Sequence, residues 1–182
     1  MEGLSVDPLE EVEILTDEYA VSHVYGDDLY ALAYANGYVQ AKNRLFQLDA
    51  LRHVGYGDSA SVLGPGQLKS DVVVAQELYT REELEAQLDR ASDRARRALR
   101  AFANGVNRGL VEVATSGRIP GEFIGLGHVP EPWSPVDSLA IIAYMTGFFG
   151  VDGGRSIPTP RRLPPSVIGS VMKNRRTRHT VI

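Results

Sequence analysis

The stretch Gly37–His53, GYVQAKNRLFQLDALRH, constrains the fold more than any other part of the chain. Nothing after Gly37 breaks a helix, and Ala, Leu, Gln, Lys and Arg are good helix formers. At 3.6 residues per turn, Tyr38, Ala41, Leu45 and Leu48 form one apolar stripe, while Val39, Phe46 and Ala50 form a second. Leu51 lies on a third side, so the helix is apolar nearly all round and is expected to be covered on several faces. Lys42 and Asp49 nevertheless fall between two apolar stripes, Arg52 borders one, and Gln40, Asn43, Arg44 and Gln47 crowd the remaining side. Long polar groups on a covered helix need partners, since an unpaired buried charge costs several kcal/mol.

The setting is a 182-residue chain that is 43% hydrophobic, enough to bury a core as one domain. It has no cysteine, which excludes a disulfide framework, a thiolate metal site and a thiol nucleophile. The start, MEGLSVDPLEEVEIL, lacks a basic n-region and a continuous apolar run, and no later run has bilayer-spanning length. A cytoplasmic location without membrane contact is the expectation. Every acidic residue lies at or before Asp152, and seven basic residues follow it, from Arg155 to Arg178. The acidic, lysine-poor body resembles the hydrated, self-repelling surface of salt-adapted proteins, and a halophilic source is the expectation, although a high-GC genome would also favour arginine over lysine.

Along the body, Val12–Leu15 and Val21–Tyr25 read as a short hairpin or two edge strands. Asp27 and Asp28 supply caps for a helix from about Leu29. Gly55, Gly57, Gly64, Pro65 and Gly66 mark a looped region, and a second helix covers 67–79 with Asp71 as an alternative cap. One long helix is expected from Arg81 to Val113, with Leu84, Leu88, Ala91, Ala95, Leu99, Phe102, Val106, Leu110 and Val113 on one face. Ala101, Gly105 and Gly109 add a small-residue row that admits a close backbone. Arg90, Asp93, Arg94, Arg97 and Arg100 form a solvated face. Residues 115–137 form an irregular connection anchored by Trp133. Ser134, Pro135 and Asp137 then carry the N-cap, N1 and N3 signature of a helix, and SLAIIAYMTGFFG predicts that this helix is buried.

These pieces, in this order, resemble the α-subunit of the penicillin acylases, amidohydrolases of the N-terminal-nucleophile class. VEILTDEYAVSHVYG is similar to the family's opening strand, turn and strand, with His23 retained and Ala20 and Ser22 where Gly and Pro are usual. GYVQAKNRLFQLDALRH resembles the run G-Y-x-Q-A-x-D-R-L-x-Q-M-D-x-x-R-R, with Asn43 for Asp and His53 for the last Arg. GDSASVLGP resembles a G-R-x-A-E-x-x-G loop, with Asp58 for Arg, and Asp71 follows in its expected place. FANGVNRGL and PEPWSPVDSLAI match the A-x-G-V-N and P-x-P-W-x-P-x-D-x-L-A segments. The resemblance covers about residues 11–149.

It implies an α+β fold: the mainly helical α-subunit portion of an αββα N-terminal-nucleophile hydrolase, with two short N-terminal strands. Residues 1–152 form that region, and 153–182 a basic Pro/Arg-rich tail, disordered or out of frame. By resemblance the long polar groups of the Gly37–His53 helix are satisfied across an interface with a β-subunit, the alternative being local pairing such as Asp49 with Arg52 at i,i+3, and Arg44, Gln47, Asp49 and Arg52 form a structural network. The partners implied are that β-subunit and a small acylated amide, and neither nucleic acid nor membrane. The family's nucleophile is an N-terminal Ser using its own α-amino group as base, exposed at a Ser-Asn junction. No Ser-Asn dipeptide occurs here, the nearest feature being Gly169-Ser170-Val171, so no catalytic residue is assigned. The family's calcium ligand, a glutamate, has no acidic counterpart beyond Asp152, so neither metal ligand nor cofactor is assigned. Met145, Phe148 and Phe149 fall near the part of the α-subunit that lines the acyl pocket, and are the substrate-binding candidates. The function implied is that of an α-subunit-like portion of an enzyme hydrolysing linear amide carbon–nitrogen bonds, inactive alone. The alternatives are a non-catalytic helical scaffold, or a module binding anions through its basic tail.

Overall fold

The computed structural model describes residues 7–153, with side chains described through Gly150. The basic tail and Gly169-Ser170-Val171 lie outside the described residues. Asp7 accepts a hydrogen bond from the Leu9 amide and opens a 3-10 turn, Pro8–Glu11. Strands β1 (Val12–Thr16) and β2 (Ser22–Gly26) follow as an antiparallel pair, with Ile14 opposite Val24 and Thr16 opposite Ser22. Asp17 shapes the reversal by accepting from the amides of Tyr19 and Val21, both at 2.9 Å. Ala20 sits there at φ 61°, a left-handed conformation that glycine adopts more readily.

Helix α1 (Leu29–Tyr56) begins where expected, because Asp28 accepts from the amides of Tyr30 and Ala31 at 2.8 Å. It ends at Gly57, whose φ of 67° closes the last turn. The expectation of an unbroken helix after Gly37 fails at Arg44, which has φ −144° and ψ 34°. The irregularity separates two packing partners. The first half lies on a helix 65 or more residues onward, while Gly55 near the end lies against Ala140.

Helices α2 (Ala60–Leu63) and α3 (Leu68–Glu77) fill the glycine-punctuated region. Asp71, in the first turn of α3, does not cap that helix. Its buried carboxylate accepts from the Ser59 amide and hydroxyl and from the Ala60 amide, at 2.6–2.9 Å, and so tethers the start of α2. The single helix expected over Arg81–Val113 is two, α4 (Arg81–Arg90) and α5 (Asp93–Thr115). Ala91 and Ser92 are extended, and the Ser92 hydroxyl accepts from the Ala95 amide; a local N-cap here overrides a continuous apolar face. Thr80 and Glu83 form a capping box on α4. Arg90, Asp93, Arg94, Arg97 and Arg100 are exposed, as expected of a solvated face.

Helix α5 crosses α1 at very short range. A Cβ placed on Gly105 would lie 1.9 Å from the Tyr34 carbonyl oxygen, one on Gly109 2.6 Å from the Ala41 Cβ, and one on Gly37 2.2 Å from the Phe102 carbonyl oxygen. Glycine therefore lies on both sides of the crossing, with Gly37 doing for α1 what the Gly105/Gly109 row does for α5. Around it Ala41, Leu45, Leu48, Ala103, Val106, Val113, Phe123 and Trp133 form the main core. A short helix α6 (Gly121–Leu126) occupies the connection expected to be irregular.

Helix α7 (Pro135–Gly153) starts at the predicted Pro135. Asp137 accepts from the Ser134 amide at 2.6 Å, but the buried Ser134 hydroxyl makes no hydrogen bond, so only half of the predicted cap forms. The first half of α7 is buried, Val136 and Ala140 joining Leu84 in a second core. The second half is not, which corrects the expectation of a buried helix: Ile142 is 52% exposed, Phe148 63% and Phe149 66%. Among the described residues nothing covers this face. No described helix is long and apolar enough to cross a membrane.

Candidate functional site

The polar groups of α1 divide into two sets. Lys42, Asn43, Arg44 and Gln47 are exposed, and Arg44 and Gln47 do not join Asp49 and Arg52 within this chain. Asp49 and Arg52 are buried and bind one another one turn apart, Arg52 Nη2 donating to Asp49 Oδ1. Arg52 also donates to the carbonyls of Glu131 and Pro132 at 3.2 and 3.3 Å, lies 3.7 Å from Asp137 Oδ2, and faces the Trp133 ring. Its charge is thus met within this chain, by the local i,i+3 pairing with Asp49 that was the alternative to an interface and by the 128–137 segment folding back over α1. That segment is held by Asn107, which donates to the Trp133 carbonyl and accepts from its amide, and by the indole N–H of Trp133 donating to Ser138.

Asp137 is the second anchor. Its Oδ1 accepts from the Tyr56 hydroxyl at 2.7 Å and from Arg81 at 3.4 Å, while Arg81 stacks over the Tyr56 ring. Burial, together with the Asp137 carboxylate, pushes the Tyr56 hydroxyl well above the ordinary tyrosine range, so it stays protonated and donating. A cleft of about 470 Å³ opens beside this network, lined by Arg52, Tyr56, Arg81 and Asp137 and by the imidazoles of His53 and His128.

The two histidines come from distant parts of the chain. His128 follows Gly127, which ends α6 in the left-handed conformation at φ 62°, and the turn brings the imidazole Nε2 to 2.6 Å from Asp49 Oδ2. His128 rests on Phe123, whose ring meets Phe46 edge-on. His53 lies one turn after Asp49, and its Nδ1 meets Asp58 at 2.9 Å. Burial pushes the His53 imidazole down, but the Asp58 hydrogen bond and the charges of Asp58 and Asp49 outweigh it and leave the net shift upward. The two positions departing from the family pattern with a lost arginine, His53 and Asp58, are therefore partners. Sequence reading overlooked His128, for which no local signal exists. Asp49-x-x-x-His53, two potential ligands one turn apart, was the available hint. Asp49, His53 and His128 are the described residues whose donor atoms converge closely enough to hold a metal. Two imidazoles and one carboxylate do not fit calcium, which takes shells of oxygen ligands.

The predicted substrate-binding residues Met145, Phe148 and Phe149 lie elsewhere, on the open half of α7. Phe148 stacks on Tyr144 with centroids 6.3 Å apart and meets Phe149 edge-on at 5.4 Å. They form an aromatic cluster on the surface and line no part of the cleft.

The sequence model of the family described as penicillin amidase matches residues 11–165, continuing past Gly154 into the basic tail. The chain is 33% identical over 129 residues to a penicillin G acylase of Escherichia coli, covering 70% of this chain and 15% of that protein. It is 34% identical over 121 residues to an acyl-homoserine lactone acylase of Pseudomonas aeruginosa, covering 66% and 14%. The chain thus spans about 15% of the length of the curated relatives it matches. Among solved structures it resembles a thermostable penicillin G acylase from Alcaligenes faecalis, with a TM-score of 0.68 at 30% identity, covering 92% of this chain and 84% of that one. With the helical order, the hairpin and the Trp133–Asp137 anchor all in place, the chain belongs to the penicillin amidase family.

Proposed function

We propose that this chain is an α-subunit-like portion of an acylase that hydrolyses linear amide bonds of acylated substrates, acting with a β-subunit that supplies the nucleophile. The observation carrying this reading is the open half of α7. Phe148 and Phe149 are about two-thirds exposed on a helix whose composition calls for burial, and contiguous exposed aromatic surface of this kind marks an interaction site. A β-subunit laid over this face buries it, and Met145, Phe148 and Phe149 then border an acyl pocket at the junction. Chemistry in that assembly is acyl transfer to a terminal hydroxyl activated by its own α-amino group, with the oxyanion held by the β-subunit. This chain's part is positional. Its Asp49–Arg52–Asp137 lattice fixes α1, α7 and the Trp133 segment as one support for the acyl site.

Substrates are amides of an aromatic or aliphatic acid, a class wide enough to include penicillins and acyl-homoserine lactones. The test is coexpression with the β-subunit portion of a family member. The chain alone should leave a phenylacetyl anilide intact, and the assembled pair should cleave it. Phe148→Ala or Phe149→Ala in the pair should change the preference between phenylacetyl and long aliphatic anilides more than turnover of an acetyl anilide. Hydrolysis by the chain alone at the rate of the pair would refute the two-part reading.

A further inference from the structure

The geometry points to a binding site for one divalent transition metal ion, of the zinc, cobalt or nickel type, at Asp49, His53 and His128. The donor atoms, one from each residue, lie within 4.8 Å of one another. His53 Nε2 is buried without any hydrogen-bond partner, and lies 3.9 Å from Asp49 Oδ2. Its other nitrogen, Nδ1, meets the Asp58 carboxylate at 2.9 Å. That bond fixes the tautomer with hydrogen on Nδ1, so the unpartnered Nε2 presents a lone pair toward Asp49 and His128. A carboxylate behind a histidine in this way is the usual support of a metal-ligating imidazole.

The other two ligands share a hydrogen bond, and an ion would displace its proton from His128 Nε2, leaving the neutral imidazole protonated on Nδ1. Asp49 Oδ1 is taken by Arg52, which leaves Oδ2 for His128 and for an ion. The His128 ring is stacked on Phe123 and edge-on to His53, with centroids 5.9 and 5.4 Å away. Binding requires the Asp49–His128 contact of 2.6 Å to open to roughly 3.3 Å, the separation of two ligands each about 2.0–2.1 Å from a tetrahedral ion. Two imidazoles and one carboxylate select a borderline ion over calcium or magnesium, which prefer all-oxygen shells. The surroundings suit a cation: Asp58, Glu131 and Asp137 outnumber Arg52 and Arg81 along the cleft. Three protein ligands leave a fourth position, filled by water from that cleft. The set is independent of the acylase reading, since neither α7 nor a second subunit contributes a ligand.

Calorimetric titration of the chelator-stripped full chain with zinc chloride should give one ion per chain, with a hundredfold excess of calcium failing to compete. His53→Gln and His128→Gln should each weaken binding at least about a hundredfold, and Asp58→Asn about 10–100-fold, as loss of a supporting carboxylate does. His23→Gln, in the hairpin, should leave affinity unchanged. Cobalt bound to the wild-type chain should show the intense visible absorption of a tetrahedral site, a readout that does not depend on any variant folding. Absence of saturable zinc binding, equal competition by calcium, affinity unmoved in both histidine variants, or an octahedral cobalt spectrum would each overturn the site.

Discussion

Replacing Gly105 by Ala tests the close crossing of α1 and α5. The added methyl would lie 1.9 Å from the Tyr34 carbonyl oxygen, 2.8 Å from its carbon and 2.9 Å from the Tyr38 nitrogen. All three are helix backbone, so no rotamer change relieves the clash, and α1 and α5 must move apart by more than an ångström. That movement also loosens the Gly37–Phe102 and Gly109–Ala41 contacts along the same crossing. Overpacking costs about 1–3 kcal/mol, and a rigid obstacle puts this case near 3. Alanine returns about 0.8–1 kcal/mol of helix propensity, leaving a net loss of about 2 kcal/mol. For a chain of this size that is a fall in Tm of about 4–8 °C, read by circular dichroism on the full chain. Gly150→Ala is the control, because nothing lies within 4 Å of its would-be Cβ, and it should raise stability by up to about 1 kcal/mol. A Gly105→Ala melt equal to or above wild type would refute the close crossing.

Other perturbations have definite signs. Ala20→Gly should stabilise by about 0.5–1 kcal/mol in urea unfolding, since the left-handed strain of 1–2 kcal/mol at φ 61° exceeds the entropy glycine adds to the unfolded chain. Asp137→Ala should destabilise by about 3 kcal/mol, because it strips a carboxylate from Tyr56, Arg81 and the Ser134 amide in a buried setting; a loss under 1 kcal/mol would contradict that role. Asp71→Ala removes three acceptor contacts at the start of α2 and should cost about 2–3 kcal/mol, with increased proteolysis around residues 58–66 as a second readout. Hydrogen bonds from Arg108 and Tyr38 hold Glu112 at about 2, below the ordinary carboxylate value of 4.5. Its stabilisation is therefore complete above pH 4.5 and lost as pH falls toward 2, so wild type and Glu112→Gln should converge in stability across that window. A gap that stays constant through it would show that Glu112 contributes no pH dependence.

Local signals in the sequence were dependable for two helix starts and one close approach, but not for the caps expected of Asp71 and the Ser134 hydroxyl. Asp28 and Pro135 mark the starts of α1 and α7, and Gly105 with Gly109 marks a close approach without naming its partner. The break between α4 and α5 was masked because Leu84 to Val113 keep helical phase straight across Ser92, so periodicity spoke for continuity while the Ser-Asp cap spoke against it. The irregularity at Arg44 has no residue-type signature at all. The site was less legible, since its members join only in three dimensions: His128 reaches Asp49 across 79 positions, through a turn set by Gly127. Arg44 and Gln47 looked equivalent to Asp49 and Arg52 on a helical projection. They differ because the 128–137 segment covers one side of α1 and leaves the other open. The apolar run of α7 correctly signalled burial in its first half, but hydrophobicity alone cannot tell cover supplied within the chain from cover supplied by another.

The glycine-lined crossing also governs how the chain can be cut. Tyr38 and Glu112 are 74 positions apart and joined at 2.8 Å, so the two ends of a long loop containing α2, α3 and α4 are fastened at their base. Closing such a loop is a slow, entropically expensive step in folding, but once made it does not rely on the loop's continuity. A protease nick at the exposed Pro65–Gly66 turn would accordingly leave both pieces interlocked, migrating as one particle in native gels and as two in detergent. The covalent chain between the two long helices is a tether during assembly and dispensable afterwards.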